Sequence, residues 1–130
     1  MLRFRGRVIC SGRAEGLALV SPEPVGFLGG VDPETGQVVE PGHPLEGECV
    51  AGRILVFPTG KGSTVGSYTL YRLARKGLAP AGILNRASDP IVAIGAIMGE
   101  IPMVDQVPTE KIRTGQRVRI EGEWVWVEEG

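Results

Sequence analysis

The stretch Phe57-Pro58-Thr59-Gly60-Lys61-Gly62-Ser63-Thr64-Val65-Gly66-Ser67-Tyr68 gathers glycines, a lysine and hydroxyl side chains where a buried strand hands over to a helix. Arg53-Ile54-Leu55-Val56-Phe57 upstream is a short apolar run suited to a buried strand, and Tyr68 to Lys76 downstream carries helix formers that stop at Gly77. The polar turn therefore sits at a helix N-terminus, where unpaired backbone N–H groups and the positive end of the helix dipole favour a carboxylate or phosphate. Lys61 adds charge for an anion or for lowering the pKa of a nearby hydroxyl, and Gly62 lets a ligand approach the backbone. Taken singly, Ser63 also fits a helix N-cap and Lys61 a solvated side chain. A capping serine already points at the positive end of the dipole, so the two readings are compatible.

Other chemistries are poorly served. A nucleotide-binding P-loop would need GxxxxGK[ST], but Lys61 is followed by Gly62 and no glycine stands five positions before Gly60. There is no GxSxG elbow, and the sole histidine, His43, lies in an irregular segment, which gives a Ser-His-Asp triad little support. Cys10 and Cys49 are in no CxxC or CxxH spacing, so the chain reads as unable to hold a zinc or iron–sulfur site alone, and both are expected as buried free thiols.

The elements that must position the turn follow from periodicity and punctuation. Leu2 to Ile9 and Ala14 to Val20 read as strands, and Val25 to Gly42 as an irregular loop dense in turn signals that could cover a site or a partner surface, with a short strand at Gln37 to Val39. Gly82-Ile83-Leu84-Asn85 is a second buried strand, giving a β-α-β order. Ile91 to Met98 reads as a helix opening at Pro90 with Asp89 as N-cap, Ile101 to Val104 as a strand, and Arg117–Ile120 with Trp124–Val127 as a C-terminal hairpin around Glu121-Gly122-Glu123. Arg86 and Asp89 fall near the same end of the sheet as the Gly-rich turn, although both could equally pair on the surface. Tyr68 and Tyr71 read as packing residues with polar tips.

The 130 residues suffice for one mixed α/β domain with short strands, and 20 glycines and 10 prolines make it rich in loops. Fourteen basic against fifteen acidic residues, a net charge of −1, argue against nucleic acid as a main partner. No apolar run approaches a membrane span and no signal-peptide core is visible, so a cytoplasmic protein is expected.

The string from Gly52 to Tyr68, followed by Leu70-Tyr71, Gly77, Ala79-Pro80, Asn85, Pro90 to Ile97 and Ile101-Pro102-Met103-Val104-Asp105, resembles the aconitase X small-subunit family over most of the chain. The resemblance implies a swivelling β/β/α domain and a larger partner subunit, in a heterodimer or higher heteromer, whose cysteines hold a 4Fe–4S cluster. In archaeal members it implies phosphomevalonate dehydratase, which removes water from (R)-5-phosphomevalonate to give trans-anhydromevalonate 5-phosphate in a modified mevalonate route to isoprenoids. Other members dehydrate cis-3-hydroxy-L-proline. The serine of the family's GKGS motif, the base, falls on Ser63. Lys61, Gly62, Thr64, Ser67 and Arg86 are then candidates for binding the substrate's anionic groups, and no metal ligand is expected here. A third possibility is a swivelling module that binds an anion or a partner without catalysis.

Overall fold

The computed structural model describes residues 1–129. Eight strands form one continuous order, β1-β8-β7-β3-β4-β5-β6-β2. They are β1 (Leu2–Arg5), β2 (Arg7–Cys10), β3 (Arg13–Val20), β4 (Ile54–Phe57), β5 (Gly82–Asn85), β6 (Met103–Asp105), β7 (Arg117–Glu121) and β8 (Trp124–Val127). The helices are α1 (Gly66–Arg75), between β4 and β5, and α2 (Pro90–Gly99), between β5 and β6.

Strand β3 belongs to both halves of the sheet. Its first residues, Arg13–Leu17, pair antiparallel with β7, whereas Ala18–Val20 pair parallel with β4. Beyond that switch, β4, β5 and β6 run parallel, because each consecutive pair is joined by a crossover helix. The antiparallel half folds over one face of the parallel half, and the helices cover the other. Ile54, Val56, Leu84 and Val104 thus pack against Val118, Ile120, Val125 and Val127 between the two sheet layers. Leu55, Phe57, Ile83 and Met103 face α1 and α2 through Leu70, Leu73, Val92 and Ala96. Strands buried on both faces are continuously apolar, which is why β4 reads ILVF with every residue buried.

The expected single strand from Leu2 to Ile9 is two strands. Gly6 breaks it: β1 pairs with β8, β2 with β6. A Cβ at Gly6 would come within 2.4 Å of both the Asp105 carbonyl oxygen and Val104 Cγ1, so only glycine lets the chain pass there from one sheet half to the other. Residues 25–42 are irregular as expected, with isolated bridges at Val31–Val38 and Gln37–Cys49 in place of a strand at Gln37 to Val39. They are nevertheless anchored, since Val25, Phe27, Val31 and Val38 belong to the helix-side core. Both cysteines are free, but Cys49 is exposed and only Cys10 is partly covered, because Cys49 lies on the outside of this loop, its thiol donating to the Thr35 carbonyl. Burial, with the Glu100 charge second, pushes the Cys10 thiol above its ordinary pKa, which keeps it protonated and unreactive. Among the described residues no helix is long and apolar enough to cross a membrane.

Candidate active site

The C-terminal edges of β4 and β5 carry the loop that chemistry points to. Its base is fixed from two sides. Gly60 bridges to Val25, with Val25 N–H donating to the Thr59 carbonyl at 3.3 Å and Lys61 N–H donating to the Val25 carbonyl at 3.2 Å. On the other side Gly60 packs on the start of α2: an added Cβ would lie 2.6 Å from Val92 Cγ2 and 3.1 Å from Asp89 Cβ. Asp89 caps α2 as the sequence indicates, its Oδ1 accepting from Ile91 N–H at 2.9 Å and Val92 N–H at 3.3 Å. The loop then turns outward through Gly62 in the left-handed region (φ +98°) and presents Lys61, Gly62, Ser63 and Thr64 to solvent.

Ser63 is not the N-cap of α1. Helix α1 begins two residues earlier than expected, at Gly66, so the cap position is Val65, which has no side chain able to cap. The Ser63 hydroxyl instead accepts a hydrogen bond from Val65 N–H at 3.2 Å, one turn ahead of the helix. Three further turn bonds, Gly66 N–H to Ser63 O, Ser67 N–H to Thr64 O and Tyr68 N–H to Val65 O, wind residues 63–68 into the helix. Among the described residues no acceptor engages the backbone N–H of Gly62, Ser63 or Thr64. Three successive open amides thus stand at the positive end of a ten-residue helix, beside a hydroxyl whose oxygen already receives a fourth N–H.

The remaining predicted site residues divide. Lys61 Nζ is held by Glu40 Oε2 at 2.7 Å, so the ammonium is tied to the 25–42 loop in this conformation. Ser67 is buried and its hydroxyl donates to the Thr64 carbonyl at 3.0 Å, bracing the first turn from within. Arg86 follows β5 and forms an ion pair with Glu110. It lines a concavity of about 570 Å³ bounded also by Val20, Ser21, Pro58 and Ile112, at the ends of the same strands but without Ser63 in its wall. Ser63, Thr64, Lys61 and Gly62 are therefore together, while Arg86 stands over a neighbouring hollow. Tyr68, expected to pack, projects outward instead, since the first turn of α1 buries Gly66, Ser67 and Thr69.

Sequence reasoning did not single out Glu40 or Asn85. Glu40 reaches Lys61 across twenty-one residues, a pairing no local signal carries. Asn85 is fully buried at the end of β5, its Nδ2 donating to the carbonyls of Phe57 at 2.9 Å and Leu84 at 3.1 Å, while its Oδ1 has no partner. An amide closing an otherwise apolar strand was the available signal. His43 is a loop fixture: its Nδ1 accepts from Leu45 N–H, leaving Nε2–H to donate to the Pro24 carbonyl at 3.0 Å. Among the described residues no three His, Cys, Asp or Glu side chains converge to hold a metal ion.

This fold is shared with known proteins. A phosphomevalonate dehydratase small subunit of Methanocella arvoryzae is 52% identical, with 93% of this chain and 94% of that one aligned. One of Thermococcus gammatolerans is 51% identical over 92% and 91%. A chain in the crystal structure of Thermococcus kodakaraensis aconitase X, in its holo-form, superposes with a TM-score of 0.97 at 47% identity, covering 99% of this chain and all of the other. The family model of the aconitase X swivel domain matches residues 3–128. With a family match over nearly its whole length and relatives at about half identity, the chain belongs to the aconitase X swivel-domain family.

Proposed function

We infer that this chain is the small subunit of a heteromeric hydro-lyase that removes water from (R)-5-phosphomevalonate to give trans-anhydromevalonate 5-phosphate. The reading is supported by relatives that carry the name phosphomevalonate dehydratase small subunit and match almost end to end at about half identity. The observation that carries it is the solvent-facing Ser63 hydroxyl beside three open amides at the mouth of α1.

The substrate's tertiary hydroxyl is β to its carboxylate, so elimination takes a proton from the intervening carbon as the carbon–oxygen bond breaks and hydroxide leaves. Ser63 takes that proton. An alkoxide is intrinsically far too basic for neutral pH, and the Val65 N–H aimed at the Ser63 oxygen, with the dipole of α1 behind it, lowers the cost of negative charge there. The N–H groups of Gly62 and Thr64, with the Thr64 hydroxyl, bind the substrate carboxylate or phosphate, whose charge draws Lys61 from Glu40. Ser67 holds the turn from below, and Arg86, releasing Glu110, is the candidate for a second anionic group. The 4Fe–4S cluster implied for the family does not fit this chain, whose described residues offer no convergent ligand set, and it is assigned to the large subunit.

The test is reconstitution with the large subunit, following loss of 5-phosphomevalonate. Turnover is expected, and Ser63→Ala should lower it by at least ~10²-fold with the melting temperature unchanged. Turnover of cis-3-hydroxy-L-proline in its place would reassign the substrate. Full activity of the Ser63→Ala complex would reduce this chain to a binding module.

A further inference from the structure

Helix α2 reads Pro-Ile-Val-Ala-Ile-Gly-Ala-Ile-Met-Gly, ten residues without one polar side chain. A helix apolar all round belongs in an interior, yet α2 packs only its Val92, Gly95 and Ala96 side against α1 and the sheet. Its outer side is left in water, with Ile94 50% and Ile97 55% exposed, three positions apart and so on one face. The patch does not stop there. Val65 (48% exposed) and Tyr68 (62%), again three apart, stand at the start of α1, and Leu28 (48%) stands beside them. Gly66 joins the two halves: a Cβ there would lie 3.5 Å from both Ile91 Cγ2 and Leu28 N, so the loop at Leu28 and the first turns of both helices touch. An apolar surface of this extent is unusual on a chain that stands alone.

We propose that the outer face of α2, continued by Leu28, Val65 and Tyr68, is the surface on which the large subunit seats, through an apolar and uncharged patch of its own. The proposal rests on the reading of the chain as one subunit of a dehydratase. Two observations choose the occupant. The relatives are named as small subunits, which implies a larger companion. The patch also runs directly into the loop of Ser63, whose hydroxyl has among the described residues only the Val65 amide for company, so the remaining groups of a working site must arrive over this same face. The absence of charge on α2 states what the partner must bring: burying an unpaired charge against Ile94 and Ile97 would be costly, whereas aliphatic and aromatic side chains gain by it.

The test uses the two subunits produced separately and mixed without substrate, with affinity read by calorimetry and complex size by light scattering. Ile94→Glu/Ile97→Glu should weaken assembly by about 100-fold or more, while the circular dichroism and melting of the isolated chain stay as in the unaltered protein, because both side chains already stand in solvent. Arg119→Ala, on the far sheet, should assemble normally. Unchanged assembly of the double variant overturns the proposal. So does a double variant that loses only self-association of the isolated chain and still binds the large subunit. A complex that forms through this face but turns over no 5-phosphomevalonate would remove the dehydratase reading and leave the docking surface standing.

Discussion

The outer face of the antiparallel sheet and the outer face of α2 both meet solvent, yet they are built on opposite plans. On the sheet, charge is dense and each sign answers the other: Arg5 pairs with Glu123 at 3.1 Å, Arg13 with Glu121 at 3.0 Å and Arg117 with Glu15 at 3.2 Å. The two half-buried indoles are sheltered as well, with the Arg3 guanidinium 5.0 Å from the Trp124 ring and that of Arg119 4.6 Å from the Trp126 ring. That face is satisfied within the chain, and it also keeps β1, an edge strand, from adding further strands. The face of α2 has no internal answer to its exposure. A near-neutral total charge thus conceals a segregated surface, and it is the apolar part that adjoins Ser63.

Three substitutions sharpen the contrast beyond the experiments above. Leu70→Ala removes the side chain that α1 sets against α2, and should lower stability by roughly 2–5 kcal/mol in urea titrations, because Leu70 is fully buried and a cavity would remain. If the loss is negligible, the apolar face is not supported as described. Asp105→Ala should follow, at roughly 1–3 kcal/mol, since this buried carboxylate accepts from Arg7 Nη2 at 2.6 Å, Arg7 Nε at 3.0 Å and Ser88 N–H at 3.0 Å. Burial pushes the Asp105 carboxyl up, but the hydrogen bonds from Arg7 and Ser88 prevail and hold it below its ordinary value of 3.8. A depressed folded value means that the stabilisation is complete above the unfolded pKa and is lost as pH falls through the folded one. The gap between the native protein and Asp105→Ala should therefore be constant at neutral pH and close only below the ordinary carboxylate range, as read by unfolding at stepped pH. A gap that closes near neutrality contradicts the assignment. Smallest of all, Arg119→Ala should change stability by no more than about 1 kcal/mol, as exposed pairs do.

Much of the scaffold was legible because local rules and tertiary structure agree. Asp89-Pro90 announces the start of α2, and Glu121-Gly122-Glu123 closes the hairpin, with Gly122 in the left-handed region (φ +58°) that such a turn needs. The failures share a cause, which is that the deciding partner lies far away in sequence. Alternation through Leu2, Phe4 and Val8 continues across Gly6, so nothing local marks the strand break that Val104 and Asp105 impose. Lys61 reads as a free cation until Glu40 is brought to it. The position of Ser63 was legible, but its hydrogen bonding was not: a serine caps a helix only when the first helical residue follows it directly, and α1 starts at Gly66, which puts Val65 at the cap and leaves Ser63 in the turn before it.

The contact between Gly60 and the first turn of α2 ties alignment to recognition. Val92 and Asp89 lie so close to Gly60 that no side chain would fit between them, so α2 and the root of the serine loop are in direct contact. On the docking proposed above, a companion protein that grips the helix also bears on the backbone from which the Ser63 hydroxyl projects, so mating and aiming are mechanically linked.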